Sequence, residues 1–274
     1  MKYLAHSVTG ETMIAVLNGD SVTDLAPIDD FYGDLDRYLA TDIGQLDGPS
    51  TPLAEIQRVP PVPRDARIAC VGLNYAAHIE ETGSDRPDNP VIFARWYSSL
   101  SNHEDEIPLP RDGQGLDWEC EMAVIIGSHL SGVTADEAMD AICGYTAFND
   151  LSARRSQKTT SQWGIGKNAE KSGPIGPHVV TADEFGSPYG RAIATRVNGK
   201  TMQSSNTDLM IFRIAETLEH ITAVVPLKPG DVLATGTPSG VGFGMDPPQL
   251  LGPGDVVEVE VEGIGVLRNH LIGR

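Results

Sequence analysis

Apolar and polar positions in this chain fall into short blocks, alternating or continuous, that are broken by Gly, Pro and Asn. That is the pattern of strands and turns, with few helices. Met13–Leu17, then Asn18-Gly19, then Asp20–Leu25 predicts a hairpin, because Asn-Gly accepts the positive φ that a two-residue loop imposes. Val197-Asn198-Gly199-Lys200 predicts a second hairpin turn. Pro229-Gly230-Asp231-Val232 and Pro253-Gly254-Asp255-Val256 repeat one turn-then-strand idiom. Val257–Val261 alternates cleanly, which assigns Glu258 and Glu260 to a solvated face. Arg67–Gly72 reads as a buried strand, Asp117–Gly127 as a strand, and Gly144–Asn149 as another that ends at Asp150. Helices are expected near Phe31–Leu39, from the Thr134…Glu137 capping box to about Ile142, and after a Thr207 cap. The last would have Leu209, Phe212, Ala215, Leu218 and Ile221 on its apolar face.

The fold class these elements predict is α+β and β-rich. Residues 1–57 form a small N-terminal β domain. Residues 58–66, with three prolines in Val59-Pro60-Pro61-Val62-Pro63, form a linker, since proline suits neither a helix interior nor a central strand. Residues 67–274 form the larger domain. A length of 274 residues fits one large unit plus a small one.

Composition narrows the partners. Asp and Glu total 38 against 20 Lys and Arg, a net charge of −18, which argues against nucleic acid and anionic membranes. An anionic substrate must therefore be held by local cations. No run approaches the ~18 apolar residues of a membrane span. Cys70, Cys120 and Cys143 sit in apolar runs without metal or disulfide spacing, so buried free thiols and a cytoplasmic location are expected. The absence of a leading apolar run is read as the absence of a signal peptide.

The chemistry concentrates in Trp118-Glu119-Cys120-Glu121. Residues two apart on a strand share a side, so Glu119 and Glu121 point the same way, and Asp150 joins them if the two strands are neighbours. A solvated antiparallel face would show the same Glu-x-Glu pair. In a partly buried site, two charges ~4 Å apart repel by about 4 kcal/mol at an effective dielectric of 20. A proton or a divalent cation must then sit among them. Hard oxygen donors favour Mg²⁺, Mn²⁺ or Ca²⁺ over Zn²⁺. His78 and Glu81 fall three apart on an expected helical turn, a spacing that suits a base or a surface pair. Lys167 lies in a Gly/Pro-framed loop. Gly236–Gly244 lacks both phosphate-loop and dinucleotide fingerprints, and could form an amide wall for an anion or a structural turn.

In chain order, the segments Gly-Leu-Asn-Tyr-x-x-His-x-x-Glu (72–81), Phe-x-x-x-x-Ser-Ser-Leu (93–100), Trp-Glu-x-Glu (118–121), Gly-Tyr-Thr-x-x-Asn-Asp-x-Ser-Ala-Arg (144–154), Gly-Lys-Asn (166–168), Gly-Pro-Ile-Gly-Pro (173–177), Val-Asn-Gly-Lys-x-x-Gln (197–203) and Pro-Gly-Asp-Val-x-x-Thr-Gly-Thr-Pro-x-Gly-Val-Gly (229–242) resemble the fumarylacetoacetate hydrolase family. The likeness covers roughly residues 67–270. It implies a mixed β-roll catalytic domain and a homodimer. It implies Glu119, Glu121 and Asp150 as ligands of one Mg²⁺ or Mn²⁺ per chain, and His78 with Glu81 as a water-activating dyad. By the same resemblance Lys167 steadies the anion, and Arg95, Arg154, Gln203 and Thr237 bind substrate. Two positions depart from the pattern: Arg95 stands where family members often have Lys, and Arg155 where they commonly have Asp. Trp96 and Tyr97 replace residues that are often smaller.

These features lead to an expected metal-dependent hydrolase. It would cleave a C–C bond in an acylpyruvate or other diketo acid, such as fumarylpyruvate, through a metal-stabilised enolate in aromatic catabolism. The intact dyad favours water attack. Alternatives are isomerisation of a 2-hydroxymuconate-type acid (2-hydroxyhepta-2,4-diene-1,7-dioate or 5-carboxymethyl-2-hydroxymuconate), oxaloacetate decarboxylation or, more remotely, a non-catalytic binding role. The partner in each catalytic case is a small 2-oxo acid.

Overall fold

A computed structural model describes residues 1–41, 44, 46, 48–111, 113 and 115–274. It is strand-rich α+β, as the block pattern predicts. In the larger sheet the order runs Ser50–Pro52, Ser21–Pro27, Glu11–Asn18, Lys2–Val8, Gly173–Thr181, Ile142–Asn149, Cys120–Ile126, Val232–Ala234, Ile68–Gly72, Val91–Arg95. The second sheet runs Lys200–Asn206, Ala192–Val197, Val256–Val261, Gly265–Ile272, Glu106–Pro108. Neighbours are antiparallel except where Val232–Ala234 meets Ile68–Gly72 and Gly265–Ile272 meets Glu106–Pro108.

Cys120–Ile126 is apolar at nearly every position because both of its faces are covered. Cys120, Met122, Val124 and Ile126 face a core shared with Ile193, Val259, Val261 and Leu218 of the helix Ile214–Thr222. Ala123 and Ile125 face the opposite core, with Cys70 and Phe148. Each large apolar side chain so buried contributes about 1.5–3 kcal/mol. Glu119 and Glu121 continue the second face.

That second core also holds Tyr3, Ala5, Ile14 and Phe31, and Lys2–Val8 pairs directly with Gly173–Thr181. The stretch expected as a linker starts within the strand Gln57–Val59, which pairs with Lys2–Val8, and Val62 and Ala66 are buried in the shared core. The boundary read from sequence therefore falls within continuous packing.

Turn chemistry held closely. Asn198 and Gly199 carry φ of 50° and 79° between the paired Val197 and Lys200. Thr134 and Glu137 form the capping box of Ala135–Asp140. Thr207 does not cap the late helix. It opens a short 3-10 turn, Thr207–Leu209, and the helix starts at Ile214. The cause is Asn74, which accepts the N–H groups of Ile211 and Phe212 at 2.8 and 2.7 Å and so takes that backbone out of helical bonding. Leu209 is left exposed, while Leu218 and Ile221 are buried as expected. Among the described residues no helix is long and apolar enough to cross a membrane.

Candidate active site

The pairing of Cys120 with Asn149 continues beyond the ends of both strands, where the Asp150 N–H donates to the Glu119 carbonyl at 3.0 Å and Asp117 bridges to Ser152. This brings Asp150 beside the two glutamates. One carboxylate oxygen from each of Glu119, Glu121 and Asp150 lies within 4.8 Å of the others, and all three residues are buried, so the solvated-face alternative is excluded.

The trio is compensated by named groups. Lys167 Nζ bridges Glu119 and Asp150 at 2.7 and 2.5 Å. The Arg154 guanidinium meets Glu119 at 2.5 Å. The Gly236 N–H donates to Glu121 at 2.8 Å. Burial works to raise the Glu119 pKa, but Arg154 and Lys167 outweigh it and hold that carboxyl below its usual range. Glu121 has no cation of its own; burial, then Asp150 and Glu119, push it well above the usual carboxylate range. Burial opposes the charge on Lys167, yet Asp150 and Glu119 prevail and raise its pKa, so it remains an ammonium. The two glutamates are thus driven in opposite directions, Glu119 down and Glu121 up, which is one way a crowded acidic site relieves charge repulsion. The trio also fits another, a hard divalent cation, since it offers buried, convergent carboxylate oxygens and no competing His or Cys ligand.

Of these groups, Glu119, Glu121, Arg154 and Lys167 line a cavity of about 320 Å³, while Asp150 lies behind its wall. His78, on the helix Ala76–Thr82, forms part of its wall, and its Nδ1 lies 3.3 Å from a Glu81 oxygen. The other Glu81 oxygen accepts the Gly240 N–H at 2.9 Å. Arg154, Lys167, Glu119, Glu121 and Thr237 line the same space, as does Lys158, with Phe93, Trp163 and Phe243 as aromatic walls.

Two residues expected to bind substrate lie elsewhere. Arg95 is buried behind Asp150, where Nε pairs with that carboxylate, one terminal nitrogen donates to Ser172 Oγ at 3.0 Å and the other to the Leu151 carbonyl at 2.7 Å. Its donors are taken up by the protein, and it is absent from the cavity wall. Gln203 is also absent from the wall. Its amide donates to Thr237 Oγ1 and the Pro238 carbonyl, and its oxygen accepts from the Cys120 N–H and Thr195 Oγ1, all at 2.8–2.9 Å. It positions Thr237 and the strand that carries the glutamates.

Sequence reasoning missed Asp117. This fully buried carboxylate accepts Arg154 Nε at 2.7 Å and the N–H groups of Gly242 and Phe243 at 2.6 and 3.2 Å. The glycine-rich segment is thus an amide wall whose acceptors belong to the chain itself: the carboxyl groups of Glu121, Glu81 and Asp117. Gln157, Lys158 and Trp163 were missed too; the spacing of Arg154, Gln157 and Lys158 on one helical turn was the available signal.

Residues 67–272 match the model of the family described as fumarylacetoacetate (FAA) hydrolase, C-terminal. Over 238 residues the chain is 40% identical to the mitochondrial oxaloacetate tautomerase FAHD2A of Bos taurus, covering 86% of this chain and 74% of that one. Among solved structures it resembles the fumarylacetoacetate hydrolase of Exiguobacterium antarcticum (TM-score 0.87, 34% identity, 100% of both chains). It also resembles the 2-hydroxyhepta-2,4-diene-1,7-dioate isomerase of Mycobacterium marinum (TM-score 0.82, 30% identity, 100% of this chain and 99% of that one).

Proposed function

The chain belongs to the fumarylacetoacetate hydrolase family, and from that premise we propose that it moves a proton within a small 2-oxo dicarboxylic acid, as a tautomerase or isomerase, with oxaloacetate the first substrate to test. This reading ranks above the hydrolysis expected from sequence because the 40% identical relative is named an oxaloacetate tautomerase and a 30% identical neighbour an isomerase. The observation that carries it is His78 in the cavity wall with Glu81 behind it, a dyad that serves proton transfer on carbon as well as the water attack expected from sequence. Glu81 fixes Nδ1 of His78 at 3.3 Å, and the Gly240 amide fixes Glu81. Nε2 is left as the nitrogen that exchanges protons.

In this reading Lys167 and Arg154 receive the oxygens of the 2-oxo acid head. His78 Nε2 takes a proton from the carbon next to the keto group, and a proton is returned at the 2-oxygen. Glu81 steadies the imidazolium between the two transfers. Lys167, kept cationic by Asp150 and Glu119, donates a hydrogen bond to the oxygen where negative charge grows. Phe93, Trp163 and Phe243 limit water in the cavity. Glu119, Glu121 and Asp150 would hold a Mg²⁺ or Mn²⁺ ion, which when bound supplies Lewis-acid polarisation of the 2-oxo oxygen.

Hydrolysis of an acylpyruvate is the second reading. The same dyad can deprotonate water, and the cavity extends past His78 to Thr82 and Ser84. The experiment follows the enol absorbance of oxaloacetate and the product mass, with Mg²⁺, Mn²⁺ or EDTA present. Tautomerisation leaves the mass unchanged, decarboxylation releases CO₂ and hydrolysis of an acylpyruvate adds water. Enol–keto interconversion faster than buffer, lost with EDTA and lowered about 10²–10⁴-fold in His78→Ala, is expected. No acceleration with any 2-oxo or 2-enol diacid, or full turnover in EDTA, would remove the proposal.

A further inference from the structure

Among the described residues three cations line the cavity, and two of them are already charge-balanced by the protein while facing the acid head: Arg154 pairs with Asp117 and Glu119, Lys167 with Glu119 and Asp150. The third, Lys158, has no carboxylate partner among the described residues. Its Nζ instead sits 3.7 Å from the centroid of the Phe243 ring. The backbone that carries this ring is held in place, because the Phe243 N–H donates to Asp117, which also holds Arg154. A long lysine chain would otherwise wander in solvent; stacking on a fixed aromatic face confines it to the cavity.

The arrangement along the cavity is directional. Lys158 immediately follows the helical turn Arg154–Gln157, four residues after Arg154, whose guanidinium touches Glu119. Thr82, Ser84 and Thr160 line the cavity along with Lys158, and all four are at least partly exposed, while Glu119, Glu121 and Lys167 are buried. Buried polar groups thus mark one part of the cavity, and an exposed ammonium with no carboxylate partner among the described residues marks another. Partial burial and the neighbouring Arg154 lower the Lys158 pKa, consistent with a cation that has no protein anion beside it.

We infer that Lys158, stacked on Phe243, receives the second carboxylate of a dicarboxylic 2-oxo acid and sets the preference of this site for diacids over monoacids. The inference rests on the reading of the cavity as a 2-oxo acid site, and names the residue that selects among such acids. In a chain of net charge −18, an anionic tail at the mouth is repelled by the surface unless one local cation is reserved for it. Pairing of that ammonium with a carboxylate in a half-closed, aromatic-walled space is charge-assisted and partly desolvated, which is worth about tenfold in affinity.

The test uses malate and lactate, which share the 2-hydroxy acid head and differ by the distal carboxymethyl group. Calorimetric titration of the Mg²⁺-supplemented wild-type protein is expected to give malate about tenfold tighter than lactate. Lys158→Met should bring that ratio below about twofold with lactate affinity held within twofold, and Lys158→Arg should restore it. The inference is overturned if wild type does not prefer malate or binds neither acid, if the ratio survives in Lys158→Met, or if malate and lactate weaken together. Oxaloacetate turnover by the wild type is read separately: malate selected through Lys158 with oxaloacetate left unturned sinks the proposed reaction and keeps this assignment.

Discussion

Replacing Arg95 by Met should be among the most damaging single changes in this protein, although Arg95 does not line the cavity. Its side chain is fully buried and serves three acceptors with three nitrogens: Asp150, Ser172 Oγ and the Leu151 carbonyl. The guanidinium also lies 5.7 Å from the centroid of the Phe148 ring. Removal leaves a buried carboxylate with only Lys167 to balance it, a loss of about 3–5 kcal/mol. Arg95→Lys keeps the charge, but one ammonium cannot reach three acceptors spread around a planar fork. At least one stays unpaired, at about 1–3 kcal/mol. At about 2–4 °C per kcal/mol for a chain of this size, the Met variant should melt about 6–20 °C below wild type and the Lys variant between the two. Arg268→Met is the control: it removes surface pairs with Glu258 at 2.7 Å and Glu104 at 3.5 Å, on a side chain 46% exposed, and should cost no more than about 1 kcal/mol. Scanning calorimetry of the four proteins in one buffer checks the ranking. A Met variant that melts within 2 °C of wild type, or no lower than the Arg268 control, would refute the assignment of Arg95 as the buried counter-charge of Asp150.

Gly244→Ala should cut turnover at least about tenfold while leaving the melting temperature nearly unchanged, because its Cβ would stand 2.5–2.8 Å from the Glu81 side chain, which can swing away but then leaves His78; an unaltered kcat contradicts this. His178 should steepen acid unfolding. Burial, with Lys2 and Arg58 nearby, pushes it down to about 4 from 6.5, so the unfolded chain takes up the proton first, and the stability it contributes is complete above about pH 6.5 and is lost as pH falls towards 4. Between pH 7 and 4.5 the loss is about 2 kcal/mol, and His178→Gln should remove it from urea midpoints measured at both values; an equal loss in both proteins refutes it. All three cysteines are buried, and burial pushes the thiols of Cys120 and Cys143 up to about 12 and about 11. A thiol reagent should therefore label none in the native protein and three in denaturant, and one rapidly reacting native thiol would overturn that reading.

The parts legible in the sequence are those whose chemistry is local. Asn198-Gly199 specifies a turn through backbone angles alone, and Thr134 with Glu137 specifies a cap through bonds spanning three residues. Alternation placed Glu119 and Glu121 on one side, and the apolar run beyond them announced a strand. Asp150 needed one further step, the neighbouring of two strands. What escaped was decided by residues distant in the chain. Thr207 looked like a cap because nothing near it announces Asn74, whose bonds hold residues 211 and 212 out of the helix. Arg95 looked like a substrate cation because its position in the motif says nothing about Ser172 and Leu151. Asp117 passed unnoticed because its partners are Arg154 and the amides of Gly242 and Phe243, more than thirty residues away in either case.

The glycine-rich segment 236–244 explains why these distant groups act as one site. Its amides hold Glu121, one of the acidic trio, Glu81, which orients His78, and Asp117, which holds Arg154 against Glu119. A buried acid left without a donor costs several kcal/mol, so one backbone segment satisfies and places three carboxyl groups with different tasks. Glycine is demanded by the closeness of approach: a Cβ at Gly242 would lie 1.9 Å from the Gln249 carbonyl oxygen and 2.9 Å from Asp117. Because Glu81 of the dyad and Glu121 of the trio accept from the same short run of peptide, the distance between these two is fixed through backbone geometry. A reaction that takes a proton at one atom while charge grows on its neighbour depends on that separation.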